Sequence, residues 1–254
     1  PQIPETLGKR HDRRPDKSIN QESEELYGAM GLLISLFISE ADFKIRKTQL
    51  DHLKSCLSPD MHQYICKRLL RLLWQESPSG RYLVFQAAAN TITRVSFVQK
   101  KHLMEILEVL IRADNHVDLS EFAMMKLVKD RFSLPGFVKN KMVSDKLLIR
   151  QFLEYYCKEI IEDGNIEKVK SYLMQTYNID LDFAERIRNP DEIFRVLSLL
   201  DELDLKAKEA VTQLCQIVLE TEWVLEQENS RVLTRLIFNS MHVPAVDLPY
   251  RAIS

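Results

Sequence analysis

The stretch Ala113-Asp114-Asn115-His116-Val117-Asp118-Leu119-Ser120-Glu121 joins two segments whose apolar residues recur at three- and four-residue spacing, as in amphipathic helices. Its pattern is a short polar loop with a β-branched residue three positions after the aspartate, followed by a polar helix start. Related stretches lie at residues 41–45, 162–166 and 220–224. Repetition of this kind predicts helix–acidic loop–helix units packed side by side, not a fold built around a catalytic loop.

The repeat extends into the flanking helices without gaps. When Asp114 is placed opposite Thr221, Glu121 falls opposite Glu228 and the apolar positions on both sides agree. The β-branched residue of each unit is then predicted to anchor the loop in the core. Two unrelated amphipathic helices can also align this well, and aspartate is common at helix starts because it caps them, so both explanations remain open.

Composition predicts an all-α protein. The chain has 254 residues, of which 45% are hydrophobic, so it can bury a sizeable core. It contains only 6 glycines, whereas tight hairpins and phosphate-binding loops depend on glycine. Leu, Ile, Glu, Lys, Met and Gln, which are good or acceptable helix formers, dominate the chain.

The same pattern divides the chain into a tail and two halves. Residues 1–20 contain prolines and alternating charges without an apolar period, which predicts a linker. Residues 21–136 form a predicted N-terminal helical half. Residues 137–254 form a C-terminal helical half that ends in an extended tail. We therefore expect a helical bundle of two packed halves.

Charge and hydropathy exclude two classes of protein. The net charge is −2 with both signs mixed, unlike the basic stripe of a nucleic-acid-binding protein. A basic cluster in the tail (Lys9, Arg10, Arg13 and Arg14) is typical of a solvated linker. The longest apolar run, residues 26–38, is shorter than the roughly 20 residues that a membrane-spanning helix needs. The chain is therefore expected to be soluble.

Two His-x-x-x-Cys pairs suggest a metal site. His52 and Cys56 form one pair, and His62 and Cys66 form the other; in a helix both members of a pair lie on one face. A break at Ser58-Pro59 would fold the two helices together into a two-Cys, two-His zinc site. The alternative is that these faces are core, because structural zinc sites usually use closer Cys-x-x-Cys spacings. The four scattered cysteines of the chain are otherwise expected to be reduced and buried.

The acidic loop itself offers oxygen ligands. Asp114, Asp118 and Glu121 resemble a calcium- or magnesium-binding loop, but their spacing does not match the twelve-residue EF-hand. Helix capping and solvation also account for these residues. No His-Glu-x-x-His, Gly-x-Ser-x-Gly or phosphate-binding loop occurs in the sequence, so we predict neither a catalytic residue nor a cofactor.

Several of these stretches resemble a known family. The segment 29–38, the pair of segments 107–114 and 118–123, and the ending from residue 206 resemble the C-terminal helical region of bacterial HtpX-like membrane zinc metallopeptidases. The acidic-loop unit is similar to the tellurite-resistance TerB fold, a compact helical bundle. This resemblance covers residues 22–250, approximately, through short and degenerate motifs.

The resemblance implies a parent protein whose membrane-embedded half carries the zinc site. None of that site is present in this sequence, so no catalytic residue transfers to it. The chain would be a non-catalytic regulatory or interaction domain on the cytoplasmic side of the bacterial inner membrane. Its partner would be the peptidase domain of the same polypeptide or another protein, and homo-oligomers remain open. The alternative is a free-standing TerB-like stress or scaffold protein with a divalent-cation site at Asp114, Asp118 and Glu121.

Overall fold

The computed structural model describes residue 21 and residues 25–114, 118–133, 144–182, 190–224 and 227–243. In these ranges the regular elements are helices, and β structure is limited to one isolated bridge. This confirms the prediction of an all-α protein. The predicted tail at residues 1–20, the extended C-terminal tail and the predicted helix at residues 182–188 lie almost wholly outside the described residues.

The described residues from 25 to 133 contain seven α-helical segments. They are α1 (Leu26–Ser35), α2 (Phe43–Cys56), α3 (Pro59–Tyr64), α4 (Leu70–Leu73), α5 (Pro78–Thr91), α6 (Phe97–Ile111) and α7 (Leu119–Arg131). A π-helical segment (Ile65–Leu69) connects α3 to α4, and short 3₁₀ turns follow α5 and α6.

The described residues from 144 to 243 contain five more α-helices. They are α8 (Asp145–Ile160), α9 (Ile166–Tyr177), α10 (Pro190–Asp201), α11 (Leu205–Leu219) and α12 (Gln227–Ser240). A 3₁₀ turn (Asp163–Asn165) lies between α8 and α9.

Side-chain caps explain where many of these helices begin. The apolar period alone predicts a start near residue 47 for the second helix, but α2 begins at Phe43. The carboxylate of Asp42 accepts hydrogen bonds from the backbone N–H groups of Lys44 at 2.7 Å and Ile45 at 3.1 Å. These bonds satisfy donors that have no partner inside the helix, so the capped start is preferred.

A close approach between α1 and the π-helical segment depends on Gly31. A Cβ atom at this position would lie 2.5 Å from Cδ1 of Leu69 and 3.3 Å from Sδ of Met61. A side chain at this position would force the fully buried Leu69 to move, so glycine allows the close approach. The hydrophobic helix α1 is thereby packed directly onto this segment.

The two parts of the chain share one hydrophobic cluster. α1 packs on α5, whereas the C-terminal helix α12 packs against both α7 and α5. α7 also contacts α10, so helices before and after the boundary predicted near residue 137 are interleaved. The boundary residues lie outside the described part, and the division into two halves stays a prediction. Among the described helices, none is both long enough and apolar enough to cross a membrane.

Candidate functional site

The first two acidic loops are joined by one buried glutamine. The Oε1 atom of Gln49 accepts a hydrogen bond from the backbone N–H of Ser39 at 2.8 Å. Its Nε2 atom donates to the carbonyl oxygens of Phe37 at 2.9 Å and Leu110 at 3.0 Å. The side chain is 3% exposed. The loop before α2 is therefore fixed to the C-terminal end of α6, where the second loop begins.

The third and fourth loops are joined through their backbones. Ile161 and Val224 form an isolated antiparallel bridge, and the N–H of Glu162 donates to the carbonyl of Trp223 at 3.3 Å. The loops thus associate in two pairs, which periodicity alone does not indicate.

Of the β-branched residues that the repeat predicts to anchor the loops in the core, Val224 is buried, whereas Ile45 and Ile166 are only half-buried. Val117 lies outside the described residues.

A cleft of about 840 Å³ opens beside these loops. It is lined by the loop before α2, the first turns of α5, α7 and α12, and the end of α8. Its surface combines apolar and acidic side chains. The apolar part includes Ile38, Ile45, Met124, Ile160, Val232 and Leu236.

Acidic residues dominate the charged lining of this cleft. Glu40, Asp42, Asp118, Glu121 and Glu159 line it, and Arg81 is the one basic residue among the described lining residues. Arg81 is paired with Glu40, since Nη2 and Oε2 are 2.7 Å apart. Five carboxylates against one guanidinium give the lining a formal net charge of −4.

The cation candidates are only partly brought together. Asp118 caps α7, because its Oδ1 accepts a hydrogen bond from the backbone N–H of Ser120 at 2.7 Å. Asp118 and Glu121 both line the cleft, whereas the side chain of Asp114 lies outside the described part. In the fourth unit, Glu228 accepts from the backbone N–H of Ser79 at 3.2 Å. Asp118 and Glu228 thus accept backbone hydrogen bonds in the first turns of α7 and α5. A cation role for Asp114, Asp118 and Glu121 stays a prediction.

The zinc candidates form two separate pairs. Sγ of Cys56 lies 3.3 Å from Nε2 of His52, and Sγ of Cys66 lies 3.7 Å from Nε2 of His62. The ligand atoms of the two pairs do not converge on one point. In the described residues, one group of three or more potential metal-ligand atoms lies within 4.8 Å of each other, and none of these four residues belongs to it. Burial also raises the pKa of the Cys66 thiol, which opposes the thiolate that zinc needs. The four candidates therefore lie as two separate pairs, and a zinc role for them stays a prediction.

The converging group is one that sequence reasoning missed. Asp130, Asp201 and His242 place one ligand atom each within 4.8 Å of one another. The buried Lys126 already occupies this position, since its Nζ lies 2.7 Å from Asp130 and 3.0 Å from Asp201. Nζ of Lys208 lies 3.3 Å from Asp201 as well. Two ammonium groups compensate the carboxylates, so the group is an ion-pair network that ties α7, α10, α11 and the end of α12 together.

The contacts within this network also shift the pKa of Asp201, its central residue. Burial raises the pKa of Asp201, but the hydrogen bond with His242 and the charge of Lys126 outweigh burial and hold the pKa below its ordinary value. Nδ1 of His242 lies 2.8 Å from Asp201. Nothing in the spacing of these residues along the chain signals the network, because its members lie on four different elements.

Comparison of the chain with models of known protein families, with curated proteins and with solved structures finds no match. The resemblance to the helical region of HtpX-like metallopeptidases and to the TerB fold therefore rests on the quoted residues alone.

Proposed function

We propose that this chain is a non-catalytic interaction module whose cleft receives a segment of another polypeptide. The observation that carries the proposal is the cleft itself, which has an apolar surface and lies where helix ends and loops from both parts of the chain meet. Concave sites with mostly apolar walls and a few placed polar groups are the usual form of binding sites. The interleaved helices provide a rigid frame for it.

Three of the five carboxylates in the cleft have contacts that favour binding over catalysis. Asp42 and Asp118 cap helices, and Glu40 pairs with Arg81. Carboxylates held in this way are poor general acids or bases, because catalysis of that kind needs a free group with a pKa near the working pH. The sequence also lacks the hydrolase and nucleotide-binding motifs named above.

We further propose that the module serves a membrane-bound zinc metallopeptidase, as the resemblance of residues 22–250 implies. The test is to sequence the coding DNA upstream of the codon for Pro1. An in-frame region that encodes apolar spans and His-Glu-x-x-His supports the proposal. A start codon directly before Pro1 overturns the link to a peptidase. The free-standing TerB-like scaffold protein would then be the better hypothesis, and calorimetry with calcium, magnesium and zinc would test its cation site.

The interaction role is tested separately by co-purification. The upstream region and this chain would be expressed as two polypeptides, with Met124→Glu and Val232→Glu placed in the cleft. Leu83→Glu and Val109→Glu are matched controls, because both residues are exposed apolar side chains that do not line the cleft. The cleft variants are expected to lose the complex and the controls to keep it. Equal behaviour of all four variants, with helical content unchanged by circular dichroism, contradicts the proposed binding surface.

A further inference from the structure

We infer that the segment received by the cleft is a basic amphipathic helix of the partner protein. The inference rests on the proposed function and deepens it by naming the chemistry of the partner. It combines three properties of the cleft: its charge, its apolar surface and the elements that form its walls.

The charge of the cleft is local. The whole chain carries 37 acidic and 35 basic side chains, so its net charge of −2 is spread thinly. The cleft alone has a formal net charge of −4 from its five carboxylates and Arg81. The rest of the sequence carries a formal net charge of +2, which equals the net charge of residues 1–20. A cationic partner is drawn to this cleft and not to the chain as a whole, because close charges of opposite sign attract locally and are screened beyond about 8 Å in physiological salt.

Helix dipoles reduce this charge without reversing it. The N-terminal turns of α2, α5, α7 and α12 border the cleft, as do the C-terminal ends of α1 and α8. Each helix end carries roughly half an elementary charge, positive at the N-terminus and negative at the C-terminus. The surplus of two N-termini contributes about one positive charge, so the cleft keeps a net charge near −3. An anionic ligand is disfavoured for the same reason.

The walls and floor indicate a helix as the occupant. Ile45, Met124 and Val232 are half-buried apolar side chains at the cleft surface, above the buried Ile38 and Leu236. An extended peptide gains most from an open sheet edge, and the cleft walls are helices and loops. A helix satisfies its own backbone hydrogen bonds, so it can place an apolar stripe on these residues and basic side chains towards the carboxylates.

The test uses two labelled peptides that differ only in charge. Both have about 18 residues, or five helical turns, with leucine on one face; the other face carries lysine in one peptide and glutamate in the second. Fluorescence anisotropy measures their binding to the full chain. The lysine peptide is expected to bind, and the glutamate peptide is not. The affinity for the lysine peptide should fall about tenfold when the salt concentration rises from about 50 mM to about 500 mM.

Charge variants locate the binding. Glu121→Gln with Glu159→Gln removes two half-buried carboxylates of the cleft lining while keeping side chains of the same size. The lysine peptide is expected to bind this variant about three- to tenfold more weakly, as expected for two partly exposed ion pairs. Glu202→Gln with Glu209→Gln is the matched control, because both residues are exposed and outside the cleft. It should bind the peptide as the unmodified chain does.

The outcomes separate this inference from the proposed function. Equal binding of both peptides, or equal weakening by the two double variants, overturns the basic helix as occupant. The cleft would still be a binding site if co-purification depends on Met124 and Val232. Failure of both peptides to bind also overturns the inference, whereas failure of the cleft variants to disturb the complex overturns the proposed function itself.

Discussion

Replacing Gln49 with methionine removes the hydrogen bonds that join the first two loops while keeping a side chain of similar length. Of its three partners, the Phe37 carbonyl is buried, whereas the backbone of Ser39 is partly exposed to water. The Leu110 carbonyl keeps a second donor, the N–H of Arg112. A buried polar group left without a partner costs about 1–3 kcal/mol. We expect the full cost at Phe37 and a fraction at the other two, or about 2–4 kcal/mol in total.

Equilibrium unfolding in urea, followed by circular dichroism at 222 nm, measures this loss. For a chain of this size each kcal/mol lowers the Tm by about 2–4 °C, so a fall of roughly 5–15 °C is expected in a thermal scan. Methionine approximately conserves the volume of glutamine, so a cavity contributes little to the change. The lost free energy therefore reports the hydrogen bonds.

Gln63→Met is the matched control, because Gln63 is exposed on α3. Surface substitutions of this kind change stability by no more than about 0.5 kcal/mol. If Gln49→Met lowers the free energy of unfolding as little as Gln63→Met does, the three hydrogen bonds of Gln49 do not hold the two loops together. The joining of the loop before α2 to the end of α6, beside the cleft, would then be wrongly explained. If both variants lose 2 kcal/mol or so, the effect belongs to methionine and not to the loop junction.

Three further predictions concern the core, the ion-pair network and the thiols. Gly31→Ala should destabilise the chain in urea unfolding by about 1–2 kcal/mol, because crowding against Leu69 outweighs the roughly 1 kcal/mol gain in helix propensity; a gain in stability refutes the close approach. Since the pKa of Asp201 is lowered on folding, its contribution is present above the unfolded value near 3.9 and is lost as the pH falls through the folded value. Asp201→Asn should therefore flatten the decline of stability below about pH 4, and an unchanged decline contradicts the network. Burial, followed by the charge of Glu154, raises the pKa of Cys157 to about 12, and burial also raises that of Cys215, so a thiol reagent at neutral pH should label the other two cysteines only.

The helices were predictable because their signals are local. Ser96 accepts a hydrogen bond from the backbone N–H of Gln99 and caps α6, which begins where the sequence predicts. The apolar period predicts a start near residue 81 for the helix before it, but α5 begins at Pro78 because Ser77 caps it. The 3.6-residue period of apolar side chains likewise predicts a helix over residues 166–177, and α9 has these bounds. The start of α2 was missed by four residues, because the apolar stripe begins later than the cap at Asp42. Capping and periodicity are both properties of short segments.

The site was less predictable because its contacts are distant in sequence. Gln49 and Leu110 are 61 residues apart, and nothing around Gln49 distinguishes it from a solvated helical glutamine. Lys126 and Asp201 are 75 residues apart. Conversely, the two His-x-x-x-Cys pairs gave a clear local pattern, and the structure keeps each pair together without joining them. A spacing rule thus identifies ligands on one helix but not the position of a second helix.

The acidic residues of the cleft allow stability and binding to be tested apart. Asp42 and Asp118 accept backbone hydrogen bonds at helix starts, so replacing either costs about 0.5–2 kcal/mol of stability whatever the cleft binds. Glu121 and Glu159 line the same cleft and are half-buried. If the cleft receives a basic partner, replacing these two glutamates with glutamine should weaken the binding of that partner. Binding that stays unchanged in this double variant would contradict recognition by the cleft acids, and the acidic loops would then be explained by helix capping.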